Sequence, residues 1–469
     1  MSADRPINAD VGAQQEPSEP VEEPKSAEPA EQPRREPAEE TPAPPRRRRR
    51  GIPGPIKLVA ALVAIAIGFV VLAVVAGSGS KKGGESAAPA QATVTAAAAG
   101  EPEGSSSSPS SSESESDGGG EGAEELGYPS FATSNTTRIG GADPISNAAA
   151  TALAVFPGTN EKQRPVAVTL VGGEDWAGAI AAAVLMAEPI RAPLLFGEPE
   201  GVPDPTSEAL ARLQPGGGAA SGGDAVLAIG DVQVPNGMSA ARVAKGDAAS
   251  EAAAIARLRD RLAGSPPQAI VLASSSEPAF AAPAAAYAAR SGDPVLFTDA
   301  GKLPQETIAA LRREQGVPVY ALGPGSAISG KILEEVEKLG AKVHRISGAN
   351  PVSSAIAFAR FGEGKFGWHV SDPGHGFVLV RSDAPLEAAA ASPLSASGTW
   401  GPLLLTDDAD TLPSELRGYF LDVKPGYTTD PTRAFYNHVW IVGDTGQISV
   451  EQQAEVNEVA ELAKIGAEE

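Results

Sequence analysis

The chain has no cysteine in its 469 residues. That excludes a disulfide framework, a thiolate metal site and a cysteine nucleophile. Aromatic residues are only 5% of the chain, while glycine alone contributes 52 positions. Few large side chains are available to anchor a core, so a core here must pack small-residue helices tightly on apolar strands. Histidine is scarce too: His344, His369, His375 and His438 are the full set. They lack the close helical or hairpin spacing of a metal site, and no cofactor is implied. Excess positive charge is also missing. The formal net charge is −22, and residues 135–469 carry 25 basic against 39 acidic groups, a net of −14. A domain of that sign is a poor general binder of nucleic acid or of anionic lipid surface, so nucleic acid is excluded as a partner.

The N-terminal part separates by composition. Residues 1–50 are rich in Pro, Glu and Ala without apolar periodicity and read as a disordered cytoplasmic tail. It ends in the run Arg46 to Arg50. Residues 51–77 hold Leu58 to Ala76, 19 residues without a charge. At about 1.5 Å per residue this just spans a hydrocarbon core of about 30 Å. The stronger positive cluster precedes it, so the N-terminus is expected in the cytoplasm and the C-terminal bulk outside, with the segment as a single-pass signal-anchor. A cleaved signal peptide is the rival reading, but the run is long for one and starts deep in the chain. Residues 78–134, dominated by Ala, Gly and Ser, read as a flexible linker.

From residue 135 onward one pattern occurs three times. The copies open at Arg138-Ile139, Arg242-Val243 and Arg345-Ile346, spaced 104 and 103 residues apart. Each continues with a small-residue helix and a continuous apolar strand, such as Phe377 to Val380. A second alanine-rich helix follows, then a strand entered through a proline: Pro193, Pro294 or Pro402. A further helix leads to a strand ending in Gly230, Gly323 or Gly443. Continuous rather than alternating apolarity marks strands covered on both faces. The spacing predicts an α/β fold of three pseudo-repeated doubly wound units with mainly parallel sheets, at 135–241, 242–344 and 345–469.

Motifs with chemical potential are few. Gly325 to Ile332 resembles a phosphate loop, but Ile332 stands where a magnesium-holding hydroxyl is needed, which favours a turn imposed by the fold. Gly172-Gly173-Glu174-Asp175 follows a strand, where open α/β sheets bind ligands. Its carboxylates suit either acid–base work or the capping of the next helix. Asp407, Asp408 and Asp410 lack the glycine and terminal glutamate of a calcium loop. Arg138, Arg242 and Arg345 recur at one position. They suit a symmetric anion site or, the favoured reading, pairing with Asp143 and Asp247 across the repeat junctions.

Arg345-Ile346-Ser347-Gly348-Ala349-Asn350, Pro402 to Thr406 and Ile441-Val442-Gly443 resemble the type 2 cell wall-binding repeat family. Its pattern opens with Arg-Ile-x-Gly-x-Asp-Arg-Tyr-x-Thr-Ala, and the resemblance covers about 135–466. The second arginine and the tyrosine are replaced by Pro144-Ile145, Ala248-Ala249 and Pro351-Val352, and the threonine by Asn147, Glu251 and Ser354. The resemblance implies three tandem repeats on a bacterial envelope protein that binds a cell-wall polymer or an envelope protein. The ligand-binding positions it suggests are Arg138, Asp143, Arg242, Asp247, Arg345 and Asn350. The expected function is a non-catalytic wall-binding or scaffolding role for a membrane-anchored extracytoplasmic protein. The alternatives are an envelope enzyme acting on wall glycans and a regulatory partner of wall hydrolases.

Overall fold

A computed structural model describes residues 131–466 apart from 142 and 244. The expected tail, the apolar run Leu58 to Ala76 and the linker up to residue 130 lie outside the described residues. Among the described residues no helix is long and apolar enough to cross a membrane.

The elements follow the apolar pattern. The first stretch contains Phe131–Ala132 (β1), Thr136–Ile139 (β2), Pro144–Val155 (α1), Val168–Gly172 (β3) and Trp176–Ala182 (α2), which tightens into a 3-10 turn at Ala183–Met186. Leu194–Gly197 (β4), Asp204–Leu213 (α3), Val226–Ile229 (β5) and Ala240–Val243 (β6) follow. The second stretch contains Ala248–Ala263 (α4), Ile270–Ser274 (β7), Pro278–Ala281 (α5), Pro283–Ser291 (α6), Val295–Thr298 (β8), Gln305–Arg313 (α7), Val319–Leu322 (β9), Gly330–Lys338 (α8) and Val343–Ile346 (β10). The last contains Pro351–Arg360 (α9), Gly376–Arg381 (β11), Pro385–Ala396 (α10), Leu403–Thr406 (β12), Ser414–Asp422 (α11), His438–Val442 (β13) and Val450–Ala460 (α12). Prolines stand in the first turns of α1, α6, α9 and α10, where no backbone N–H is needed. Gly264 and Gly292, with φ of 67° and 76°, end α4 and α6 in the left-handed conformation that a side chain resists.

Three parallel sheets share one order, beside two short pairings, Gly362–Glu363 with Phe366–Gly367 and Gly426–Tyr427 with Ala463–Lys464. The first is β4-β3-β5-β6, the second β8-β7-β9-β10 and the third β12-β11-β13-β2, with β1 added at its edge. All pairings within these orders are parallel, and only β1 joins antiparallel to β2. The opening strand of each sequence interval lies in the sheet of the preceding interval. β6 completes the first sheet, β10 the second, and the N-terminal β2 completes the third, which closes a ring. In matching registers Arg242 lies beside Ala228, Arg345 beside Ala321 and Arg138 beside Ile441.

The alanine-rich second helices meet at the centre of this ring. α2 with its 3-10 turn, α6 and α10 pack on one another. Ala179, Ala284 to Ala286 and Ala388 to Ala391 are fully buried there. Alanine allows close helix approach with no side-chain entropy to lose, so a composition poor in large residues still yields a dense core. The scarce aromatics gather elsewhere: Tyr287 packs against Phe358, Phe366 and Trp368, joining α6 to the third interval.

One difference breaks the threefold pattern. A helix follows the third strand in the second and third sheets, α8 after β9 and α12 after β13. Between β5 and β6 the chain runs through Asp231 to Ser239 with no helix. That run takes the place of the helix, with Val232 buried and Val234 and Met238 packed on the core.

Candidate functional site

The carboxyl ends of β3, β4, β5 and β6 carry a cleft of about 720 Å³. β3 has β4 on one side and β5 on the other, so the crossovers reverse direction beside it. Open α/β sheets form their ligand crevices at such a reversal. Gly172, Gly173, Gly197, Gly230 and Gly246 line the cleft and leave its backbone bare.

Of the six carboxyl groups that line it, two come together, Asp175 from the cap of α2 and Glu251 from the first turn of α4. Glu251 is 2% exposed, and its Oε1 accepts the Gly246 N–H at 3.0 Å. Asp175 Oδ1 accepts the Gly178 N–H at 2.8 Å, which is the helix cap. The remaining oxygens meet over Gly178. A Cβ there would clash with Asp175 Oδ2 and come within 2.7 Å of Glu251 Oε2. Two carboxyl oxygens brought together in this way favour a proton shared between them over two negative charges. Burial is the first cause that pushes Glu251 up to about 8, and the hydrogen bond and charge of Asp175 are the next, so Glu251 holds that proton at neutral pH.

The same register explains the other two sheet edges. Three residues past each second-helix cap stand Gly178, Phe280 and Glu387. Glycine leaves room for the carboxyl pair. Phe280 fills the second edge, where its side chain lies against Gly323. Glu387 occupies the third edge, beside a cleft of about 420 Å³, where Gln447 Nε2 donates to it at 3.1 Å. Burial raises this carboxyl above its ordinary range.

Sequence register also accounts for Glu251. Asn147, Glu251 and Ser354 each stand four residues past the cap of the first helix, and each accepts a loop glycine N–H. The bonds are Gly141 to Asn147 at 2.8 Å, Gly246 to Glu251 at 3.0 Å and Gly348 to Ser354 at 2.9 Å. Ser354→Ala is expected to cost about 1 kcal/mol by orphaning the Gly348 N–H, read as a lower urea midpoint.

The residues suggested by the sequence occupy structural positions. Asp143, Asp247 and Asn350 are the N-caps of α1, α4 and α9. Arg138 is buried and donates to Gly443 O at 2.9 Å, Asp444 O at 2.8 Å, Ile448 O at 2.7 Å and Gln453 Oε1 at 2.9 Å. Arg345 donates to Gly323 O at 2.7 Å and Ile328 O at 2.6 Å, and the exposed Arg242 to Val232 O at 3.2 Å. Pairing with Asp143 and Asp247 is therefore corrected. The guanidinium groups hold the carbonyls of the turn after the adjacent strand, while those carboxylates are spent on helix N-termini. The glycine-rich stretch at Gly325 is that turn in the second sheet. Asp408 caps its own turn, accepting from Asp410 N and Thr411 N at 2.8 Å each. Among the described residues no group of three or more metal-ligating side chains gathers. His344 pairs with Glu363 at 3.1 Å and His375 with Asp372 at 3.2 Å. His438 bonds Thr137 Oγ1 at 3.0 Å.

The architecture is similar to that of two solved cell wall proteins of Clostridium difficile. Cwp6 matches with a TM-score of 0.56 and 19% identity over 70% of this chain and 48% of its own. Cwp8 matches with a TM-score of 0.54 and 16% identity over 70% of this chain and 52% of its own. This chain therefore matches about half the length of those proteins, and the likeness is one of fold. No protein-family model and no curated protein matches the sequence.

Asp175 was visible in the sequence as a carboxylate after a strand, but its partner was not. Glu251 lies in a different sequence interval, and only its shared position with Asn147 and Ser354 marks it. A glutamate at a position otherwise held by small polar residues is the signal that points to the cleft.

Proposed function

We propose that this protein is an envelope protein that binds or scaffolds at the cell wall without catalysis of its own. In this reading Leu58 to Ala76 anchors it in the membrane and residues 135–469 form three wall-binding-type repeats outside. The observation that supports it is the ring of three parallel sheets of one strand order, an architecture similar to that of two cell wall proteins. The buried or bonded arginines argue that attachment does not rest on a symmetric arginine anion site.

An enzyme acting on wall glycans is the second reading, and the Asp175–Glu251 pair is the observation that favours it. Its geometry weighs against glycoside hydrolysis. Carboxyl oxygens that meet over Gly178 are closer than the roughly 5 Å that such enzymes leave between theirs. Each group is also already committed to a backbone N–H.

The test is co-sedimentation of the full chain, in mild detergent, with isolated cell walls before and after extraction of their anionic polymers. Saturable binding is expected with intact walls. Loss on extraction assigns the polymer as ligand, and retention assigns the remaining wall. No saturable binding to intact walls overturns the reading.

A further inference from the structure

We propose that the Asp175–Glu251 pair is a proton-operated clasp, which holds the first sheet edge closed against α4 while protonated and loosens that junction when the proton leaves. The pair joins separate parts of the fold. Asp175 starts α2, which belongs to the central helix cluster. Glu251 lies on α4, which packs on β8 of the second sheet, and α2 and α4 are in direct contact. The bond between the two side chains therefore crosses the junction between the first and second sheets.

The surrounding charges set the consequence of deprotonation. Glu174 flanks the pair on the α2 side. Glu198 and Glu200 face the cleft from the end of β4, Asp231 from the end of β5, and Lys245 from the end of β6. Asp247, at the cap of α4, is held by Ser250 N at 2.8 Å. Lys245 is the single cation among the groups lining the cleft. A second negative charge on the pair would enter a cleft lined by four other carboxylates and one ammonium. The bond across Gly178 would become a repulsion in a site where Glu251 has almost no water.

The direction with pH is fixed by linkage. Glu251 binds its proton more tightly in the folded chain than in the unfolded one, its value being raised from 4.5 to about 8. Stability from this group is complete below 4.5. It is lost as pH rises through the window up to about 8, where the folded pair finally ionises. The clasp is a property of the fold and does not depend on what the wall-facing surface binds.

The experiment follows the urea midpoint of the full chain, and exchange of the Glu251 N–H, which is bonded to Asp247 O at 3.0 Å in the first turn of α4, corrected for the intrinsic pH effect, from pH 4.5 to about pH 9. The midpoint should fall across this range. Protection of that N–H should drop by about tenfold or more, the equivalent of one unit of differential proton affinity. Glu251→Gln keeps a donor toward Asp175 at every pH and should flatten both curves. Asp175→Asn is the second variant and should make both falls shallower, because the contribution of Asp175 is removed while the burial of Glu251 remains. Parallel pH curves for the wild type and both variants would overturn the clasp. So would a wild-type midpoint that stays level or rises between pH 4.5 and 8, which needs no variant to fold.

Discussion

Arg138→Ala is expected to open the ring at its N-terminal strand and to lower the unfolding free energy by about 2–5 kcal/mol, because buried carbonyls lose a charged donor. The guanidinium is nearly out of water, and burial lowers it to about 10, so it stays charged at neutral pH. Its donors satisfy three backbone carbonyls of the Gly443 to Ile448 turn, and Nε reaches Gln453, whose Nε2 in turn donates to Thr136 Oγ1 at 2.8 Å. Asn457 of α12 extends the latch by accepting from Thr133 Oγ1 at 2.7 Å and from Asn135 N at 3.0 Å. Alanine would strand Gly443 O and Ile448 O in a dry site, each costing about 1–3 kcal/mol if no water enters, while Asp444 O keeps the Ile448 N–H at 3.1 Å. Arg242→Ala provides the comparison at the equivalent position. That side chain is exposed and makes one bond of 3.2 Å, so its loss should stay within about 1 kcal/mol. Urea titration followed by tryptophan fluorescence, with Trp440 in the strand beside β2, reads both. Equal midpoints for the two variants would mean that the ring does not depend on this latch.

Ala286→Leu is expected to be the second large effect. Every residue from Ala284 to Ala289 of α6 is 3% exposed or less, so the helix has no free side at this level. α10 and the 3-10 turn after α2 press on it from the other intervals. Extra methylenes would have to displace a helix backbone. Overpacking typically costs about 1–3 kcal/mol, and the upper end applies where no flexible side chain can yield. Ala211→Leu, on the exposed face of α3, should shift stability by no more than about 0.5 kcal/mol. A thermal unfolding midpoint for Ala286→Leu equal to that of Ala211→Leu would show that the three helices do not meet as tightly as their burial implies.

These two positions illustrate what could be read locally. The alanines of α6 announce a helix buried all round, because no polar face interrupts them. The recurring arginine announces a role shared by three strands. Its partners were not legible. The sequence favoured Asp143 and Asp247 because they are nearby in the chain and opposite in charge. The fold places those carboxylates on helix N-termini and turns the arginines toward carbonyls that lie, for Arg138, 305 to 310 residues away. Charge complementarity along the chain does not report which backbone groups a neighbouring strand brings alongside.

By itself the sequence determined the parallel α/β character, the buried strands, the small-residue helices and the exclusion of disulfide and thiolate chemistry, because apolar periodicity and residue size act within a few residues. Tertiary structure alone decided which sheet each opening strand joins, because strand pairing is selected by long-range packing and by the loops that permit it. It alone filled the place of a helix on the first sheet with the run from Asp231 to Ser239, whose Val232 is buried. It also brought Asp175 to Glu251 across two intervals. A shared proton needs oxygen atoms in contact, and that contact exists only once α2 and α4 have docked.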